Sequence, residues 1–211
     1  MASSSRTPST GNGAVTTLSD DDLSSTAQRE RRKRILDATL ALASKGGYEA
    51  VQMRAVAERA DVAVGTLYRY FPSKVHLLVS ALAREFERIE SKRRPSTDGS
   101  PRERMQQLLA QITRSMQRDP LLTEAMTRAF MFADASAAAE VDRVGKVMDR
   151  LFARAMNDGD PTEEQLAIAR VISDVWLSNL VAWLTRRSSA TDVAARLELT
   201  VDLLLGDRRT I

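Results

Sequence analysis

Apolar residues recur at spacings of three and four along most of the chain, which is the period of an amphipathic α-helix. Leu78, Leu82 and Phe86, for example, share one helix face. The alternation typical of a β-strand never extends beyond a few residues. The pattern therefore predicts an all-α protein, with a first helix that ends at 45–47 and further helices over 53–60, 64–70, 74–91, 105–116, 121–132, 140–156, 163–187 and 191–205.

Two polar segments interrupt this helical pattern. Residues 1–26 are mostly Ser, Thr, Gly and Asp and have too little apolar surface to offset the entropy of ordering, so we predict a disordered tail. Residues 92–101, KRRPSTDGSP, break both the periodicity and the composition. The chain then divides into the tail, a small three-helix domain (27–74), a connecting helix (75–94) and a larger helical domain (95–211).

Local signals mark several helix ends. Gly46 and Gly47 permit the left-handed conformation that commonly ends a helix. Asp61 is predicted to form a turn, because a short polar side chain tolerates the same conformation. Ser73, just after a proline, is predicted to cap the following helix, and Thr162 is predicted to cap another ahead of two glutamates.

The composition excludes several kinds of chemistry. The chain has no cysteine and one histidine, His76, which rules out disulfides, thiolate catalysis and cysteine-based metal sites. There is no Gly-rich phosphate loop either, so we expect no metal, no cofactor and no catalytic residues, and an enzyme acting on a lipid or acyl-CoA is a weak alternative. Residues 175–184 form the longest apolar run, about half of a membrane span, and no secretory signal precedes them. We therefore expect a cytoplasmic protein without membrane contact.

Charge is distributed unevenly along the chain. Residues 27–94 contain 15 Lys and Arg against 8 Asp and Glu, a balance of +7, whereas residues 95–211 contain 15 against 17, a balance of −2. A basic N-terminal region suggests a polyanionic partner, the alternative being an ordinary solvated surface. In the run RERRKR, residues 29–34, Arg31 and Arg32 are predicted to contact the phosphates of a nucleic acid or to enter its minor groove, because positive charge at a helix N-terminus is unfavourable without an anion. The alternative is a charged first turn that faces water.

The predicted helix at 64–70 is too short to be stable alone, since isolated helices of this length are marginal in water. Together with the helix before it, it forms a helix-turn-helix, whose second helix lies in the major groove of double-stranded DNA. Leu67 and Phe71 are expected to face inward, while Gly65 and Thr66 are small enough for close approach to bases. The predicted DNA-binding residues are Arg31, Arg32, Arg54, Val64, Gly65, Thr66, Tyr68, Arg69, Tyr70 and Lys74, the last two at phosphates.

The segment GTLYRYFPSK, residues 65–74, resembles the signature of the TetR family of transcriptional repressors, and the similarity extends over about 34–82. The resemblance implies a homodimer that pairs through its last two helices and binds a small apolar effector in its C-terminal domain. Such a dimer presents two DNA-reading helices roughly 34–36 Å apart to a palindromic operator. Two positions depart from the family pattern: Asp61 replaces a turn glycine, and Ala63 replaces the serine that usually caps the second helix.

Within that family, the stretches 27–82, 119–129 and 169–193 are similar to the actinobacterial repressors of cholesterol catabolism. This narrower resemblance implies operators at genes of steroid catabolism. It also implies that the effector is a cholesterol-derived 3-oxo steroid acid or its coenzyme A thioester. The alternatives are a family member that regulates fatty-acid metabolism or efflux through a different effector, and an architectural DNA-binding protein with no effector.

The C-terminal domain is rich in flexible and aromatic apolar residues, which suit a pocket for a large apolar ligand. For each of them, simple packing in the core is the alternative. The predicted ligand-binding residues are Met105, Leu109, Met126, Phe130, Trp176, Asn179, Leu180 and Trp183, the last four on one helix face. The candidate cations for the ligand's acidic end are Arg114, Arg118 and Arg128.

Overall fold

A computed structural model of the protein describes residues 25–93, 98–157 and 159–206. Every regular element within these residues is a helix, which confirms the all-α prediction. Nearly all of the predicted disordered tail, residues 1–26, lies outside the described residues, as do residues 94–97 of the predicted break.

The described residues form nine α-helices and one short 3-10 helix. The α-helices are α1 (Thr26–Ala50), α2 (Met53–Arg59), α3 (Val64–Tyr70), α4 (Lys74–Lys92), α5 (Pro101–Arg118), α6 (Pro120–Met131), α7 (Ala138–Met156), α8 (Glu163–Leu184) and α9 (Ala190–Leu205). The 3-10 helix, Ala135–Ala137, directly precedes α7. The predicted helices are confirmed, and most of the differences are at their ends: α8, for example, stops at Leu184 instead of residue 187.

Turn positions agree with the conformations predicted for them. Gly47 has a φ angle of 65° and interrupts α1, after which one more turn carries the chain to Ala50. Asp61 has a φ angle of 53°, so the aspartate does adopt the left-handed conformation between α2 and α3.

Side chains cap the helices of the C-terminal half more fully than those of the N-terminal half. Reciprocal capping boxes begin four helices, and the pairs are Ser25 with Gln28, Ser100 with Glu103, Thr162 with Gln165 and Ser189 with Asp192. The cap predicted at Thr162 is thereby confirmed. Helices α2, α3 and α4 have no side-chain cap. The prediction for Ser73 was wrong, because its hydroxyl lies 2.8 Å from His76 Nδ1 and does not accept from the backbone of α4.

Two groups of helices surround a continuous apolar core. The head consists of α1, α2 and α3, and the body consists of α5 to α9, with α4 running from one to the other. In the body, α4 packs on α6 and α7, α5 packs on α7 and α9, and α8 lies between α7 and α9. The most extensive contact between any two helices joins α1 of the head to α6 of the body.

Helix α8 is unusually apolar for its position. Among the described residues it is the one helix whose length and composition would allow it to cross a membrane, and 28% of that segment is buried within the chain. The apolar run at 175–184 forms the C-terminal part of this helix. A helix that is apolar over a wide arc and only partly covered within its own chain is also the pattern of a helix that packs against a partner.

Candidate nucleic-acid interface and body cavity

The inner face of α3 is fixed by the core of the head. Leu67, Tyr70 and Phe71 are all buried, and the guanidinium carbon of Arg32 lies 5.4 Å from the centre of the Phe71 ring. This burial explains how a helix of seven residues is held in place without a side-chain cap at Ala63.

The outer face of α3 is open. Val64, Gly65, Tyr68 and Arg69 are exposed, and 48% of Tyr68 is accessible to solvent. A Cβ atom placed on Gly65 would have no heavy atom within 4 Å, so nothing in the protein's own packing requires glycine there. Gly65 is the second residue of α3, and the absence of a side chain leaves the backbone of this first turn accessible.

The structure corrects the predicted surface at two positions. Tyr70 is 2% exposed and Arg32 is 4% exposed, so neither side chain is available to a phosphate in this conformation. Both lie on the inward side of their helices, where burial of the aromatic ring and of the long arginine stem favours packing over solvation. Of the other predicted positions, Arg54 is exposed, and Arg31 and Thr66 are partly buried.

Lys74 lies at a junction between the head and the body. Its ammonium nitrogen is 3.8 Å from the centre of the Tyr48 ring and 4.0 Å from a Glu49 carboxylate oxygen. The guanidinium carbon of Arg128, on α6, lies 4.3 Å from the same ring, and Arg128 also pairs with Glu49 at 3.2 Å. Partial burial lowers the pKa of Lys74, because desolvation disfavours the charged ammonium. In this conformation the side chain that was predicted at a phosphate instead joins α4 to α1.

A second contact crosses the same junction. The buried ring of His76, on α4, has Nδ1 2.8 Å from the Ser73 hydroxyl and Nε2 3.0 Å from the backbone carbonyl of Ser136 in the 3-10 helix. Both ring nitrogens are therefore engaged within the protein. No cluster of metal-ligating side chains is present in the part of the chain that the structure describes.

The body contains a partly open cavity of about 260 Å³, lined by residues of α4 to α8. Three of the predicted ligand-binding residues, Phe130, Trp176 and Leu180, line it. The Trp176 ring is held in place by a hydrogen bond that its Nε1 donates to Thr113 Oγ1 at 3.0 Å, and by an edge-on contact with Phe86 at 6.0 Å. The wall is mostly apolar and is therefore suited to an apolar ligand.

The other predicted ligand-binding residues lie elsewhere. Met105 is fully buried in the core, and Trp183 is partly buried and does not line the body cavity. Leu109 and Met126 line two smaller pockets of about 90 and 70 Å³. Asn179 is buried and its Nδ2 donates a hydrogen bond to the Val175 carbonyl at 2.8 Å, while its Oδ1 has no hydrogen-bond partner among the described residues.

One end of the cavity is polar. Arg170 pairs with Asp149 at 3.0 Å there, and the buried hydroxyl of Ser173 has no hydrogen-bond partner among the described residues. The predicted cations do not lie at this cavity. Arg114 and Arg118 are exposed on α5, and Arg128 belongs to the junction with the head.

Gly145 also lines the cavity, in the interior of α7. As at Gly65, an added Cβ atom would have no heavy atom within 4 Å. This glycine therefore keeps space open inside the body. A glycine in the middle of an amphipathic helix was the sequence signal that could have identified the wall formed by α7.

A helix-turn-helix head with an exposed second helix, joined to an all-helical body that contains an apolar cavity, defines a DNA-binding transcriptional regulator with a small-molecule site. Comparison with known proteins agrees. Residues 35–81 match the family model for bacterial regulatory proteins of the tetR family, and residues 99–204 match that for the tetracyclin repressor-like C-terminal domain. The chain belongs to the TetR family of transcriptional repressors, and it is not an enzyme.

Individual relatives agree with this assignment. The HTH-type transcriptional repressor KstR of Rhodococcus jostii is 82% identical over 207 residues, covering 98% of this chain and 97% of the relative. A solved TetR transcriptional regulator from Rhodococcus sp. RHA1 is 33% identical with a TM-score of 0.79, covering 87% of this chain and 99% of the other. FadR from Bacillus subtilis in complex with stearoyl-CoA is 18% identical with a TM-score of 0.57, covering 82% and 98%, and shares the fold.

Proposed function

We propose that the protein is a homodimeric cytoplasmic repressor that binds palindromic operators of steroid and cholesterol catabolism genes. A cholesterol-derived 3-oxo steroid acid or its coenzyme A thioester releases it from DNA. The repressor class follows from the family, and the steroid effector rests on the resemblance of the whole chain to the actinobacterial repressors of cholesterol catabolism. The 82% identity to KstR of Rhodococcus jostii supports it.

The open outer face of α3 is the observation that supports DNA binding most directly. Gly65 leaves the backbone of α3 accessible, and Thr66, Tyr68 and Arg69 lie beside it on the same short helix. Small residues admit the edges of bases, while the tyrosine and arginine can donate hydrogen bonds to bases or phosphates. Arg54 stands exposed near the start of α2, where it can contact a phosphate.

The exposed apolar residues of α8 and α9 support a dimer through these helices. Val171, Leu199 and Leu203 are all exposed, and Leu203 is 77% accessible in the single chain. Leaving such residues in water is unfavourable, and a second copy of the same two helices would cover them. Two heads arranged in this way can read the two halves of a palindrome on one side of the duplex.

Helix α6 supports the proposed coupling between effector and DNA. Thr127 and Phe130 line the body cavity, while Arg128, between them in sequence, contacts Tyr48 and Glu49 of α1. A ligand that shifts α6 would therefore shift the head. For release to follow, the ligand must bind more tightly to the conformation in which the heads do not fit the operator.

The DNA contacts are tested by measuring operator affinity for Tyr68→Ala, Arg69→Ala and Thr66→Ala. The first two should each weaken binding by about tenfold, and Thr66→Ala should change the preference among operators, because it touches base edges. Lys146→Ala is the matched control for Arg69→Ala, since it removes an exposed cation of the body. If all four variants bound the operator as tightly as the unchanged protein does, the proposed DNA interface would be wrong.

The effector is tested by titrating ligands into a preformed complex with operator DNA. A 3-oxo steroid acyl-CoA thioester should release the duplex at lower concentration than palmitoyl-CoA does. The reverse order would favour the alternative, a regulator of fatty-acid metabolism. Release by neither thioester would favour an efflux regulator with a different apolar effector.

A further inference from the structure

Helices α4 and α5 follow each other along the chain but are not closely packed against each other, because α4 packs on α6 and α7 while α5 packs on α7 and α9. A groove remains between them. It contains a pocket of about 500 Å³ near the end of α4, which is larger than the body cavity.

The walls of this pocket, here called the basic pocket, carry positive charge. Arg88, Lys92, Arg93 and Arg104 line it together with uncharged polar and apolar residues, and no carboxylate is among its described lining residues. Four cations around one concave surface raise the local concentration of anions, and low-dielectric walls strengthen the effect. A ligand with a negative charge is therefore favoured there.

Two of the four cations have roles within the fold. Arg104 donates to the carbonyls of Ala155 and Met156 at 3.0 and 2.8 Å, at the end of α7, and it also donates to Gly99. Arg93 donates to the Leu151 carbonyl at 3.3 Å. These two side chains hold α7 against α4 and α5, and their charge adds to the field of the pocket.

Lys92 and Arg88 are better placed to bind a ligand. Lys92 is exposed, and the described residues provide no hydrogen bond or ion pair for it. Arg88 is paired with Glu85 of its own helix at 2.6 Å, with half of its side chain accessible. Exposed pairs of this kind contribute only about 0–1 kcal/mol, so an incoming anion can replace the carboxylate easily.

The small pocket of about 70 Å³ lies between the basic pocket and the body cavity and shares wall residues with both. That pocket shares Arg88, Ile89, Ile112 and Ser115 with the basic pocket. It also shares Leu82, Phe86 and Met116 with the body cavity. The small pocket therefore lies between the other two, and a ligand that occupied both of them would have to displace the side chains of Phe86 and Met116.

We infer that the basic pocket is the subsite for the anionic end of the effector, a carboxylate or a phosphate-bearing group, while the apolar part of the same molecule occupies the body cavity. The inference rests on the proposed function, because it needs an apolar effector in that cavity. Lys92 and Arg88 bind the anion, since an ammonium and a guanidinium both form charge-assisted hydrogen bonds with carboxylate and phosphate oxygens. The volume of the basic pocket exceeds what a carboxylate alone would need.

The experiment compares three ligands that share one apolar part: a 3-oxo steroid acid, its coenzyme A thioester and its uncharged methyl ester. Their affinities for the full-length dimer are measured by calorimetry for the unchanged protein, Lys92→Gln, Arg88→Gln and the double variant. Lys146→Gln is the control, because it also removes one exposed cation that pairs with a neighbouring carboxylate of its own helix.

Each of Lys92→Gln and Arg88→Gln should weaken binding of the charged ligands by about three- to tenfold and leave the methyl ester unchanged. Lys146→Gln should affect none of the ligands. Added salt should weaken the thioester more than the ester. A larger loss for the thioester than for the free acid identifies the phosphates as the preferred group, and a larger loss for the free acid identifies its carboxylate.

Two outcomes contradict the inference, and only the second also contradicts the proposed function. If the charged ligands bind and release DNA but the Lys92 and Arg88 variants behave like Lys146→Gln, the basic pocket is not the subsite and the proposed function stands. If none of the three ligands binds the unchanged protein, the inference fails together with the steroid effector.

Discussion

The head and the body each contain a helix glycine beside open space, Gly65 in α3 and Gly145 in α7, but the two spaces differ. The space beside Gly65 lies outside the protein, because the core of the head fills the other side of α3. The space beside Gly145 lies inside the body, between packed helices. The first admits a macromolecule and the second a small molecule, so the same residue type marks two different kinds of partner.

The largest effect is expected from removing the support behind α3. Phe71→Ala deletes a fully buried ring and should lower the free energy of unfolding by about 3–5 kcal/mol. Tyr68→Ala, on the exposed side of the same helix, should change it by less than about 0.5 kcal/mol. Urea denaturation measures both. Similar losses for the two variants would mean that the two faces of α3 are not distinct.

Filling the space inside the body should have the next largest effect. Gly145→Leu places a large side chain in the cavity and should weaken effector binding by at least about tenfold, with operator affinity unchanged. Gly145→Ala is the control, because it should stabilise α7 by about 0.5–1 kcal/mol and leave most of the cavity open. Effector affinity that is unaffected by leucine would show that the ligand binds somewhere else.

Filling the space outside the head should have a smaller effect of the same kind. Gly65→Ala should stabilise the protein by about 0.5–1 kcal/mol and weaken operator binding by about tenfold, because the added methyl group lies between α3 and the duplex. Thermal denaturation and a DNA titration measure the two quantities. If stability and DNA affinity rose together, Gly65 would not mark a close approach.

The smallest effect concerns the side-chain caps, which begin α5, α6, α8 and α9 of the body and which α2 to α4 lack. Hydrogen bonds from the Ser100 backbone and hydroxyl lower the pKa of Glu103 below its usual value of 4.5. A lowered pKa means that this carboxylate stabilises the folded state above the unfolded pKa, and the stabilisation is lost as the pH falls through the folded pKa.

The unfolding free energy of the unchanged protein should therefore exceed that of Glu103→Gln at neutral pH, and the difference should shrink below pH 4.5. Arg102→Gln, which removes an exposed ion pair with Asp202 beside the same cap, is a control for general charge effects. If this difference in unfolding free energy stayed constant at acidic pH, the Glu103 carboxylate would not be the group that stabilises the cap.

Sequence spacing predicted the head well because its two faces differ in chemistry. Leu67 and Phe71 are apolar and buried, whereas Gly65 and Arg69 are small or charged and exposed. Tyr70 was misassigned because a tyrosine has both an apolar ring and a polar hydroxyl, and its position in a motif does not reveal which of them determines its environment.

The body was predicted less well for a physical reason. A residue that lines an apolar cavity and a residue that fills a core have the same composition and the same helical period, so Met105 in the core and Phe130 at the cavity wall look alike in sequence. The wall also draws on helices distant along the chain, such as α4 through Phe86 and α7 through Gly145. Only the packing of those helices brings these residues together.

The chain contains a single imidazole, that of His76, and it is held between Ser73 and the Ser136 carbonyl. A carbonyl oxygen can only accept, so Nε2 carries a proton and donates it to Ser136. Because the sequence has one histidine, the two imidazole resonances in a nitrogen NMR spectrum belong to His76. The ring connects the start of α4 to the 3-10 helix. A change in those two frequencies when DNA or a ligand is added would therefore show that this contact has changed.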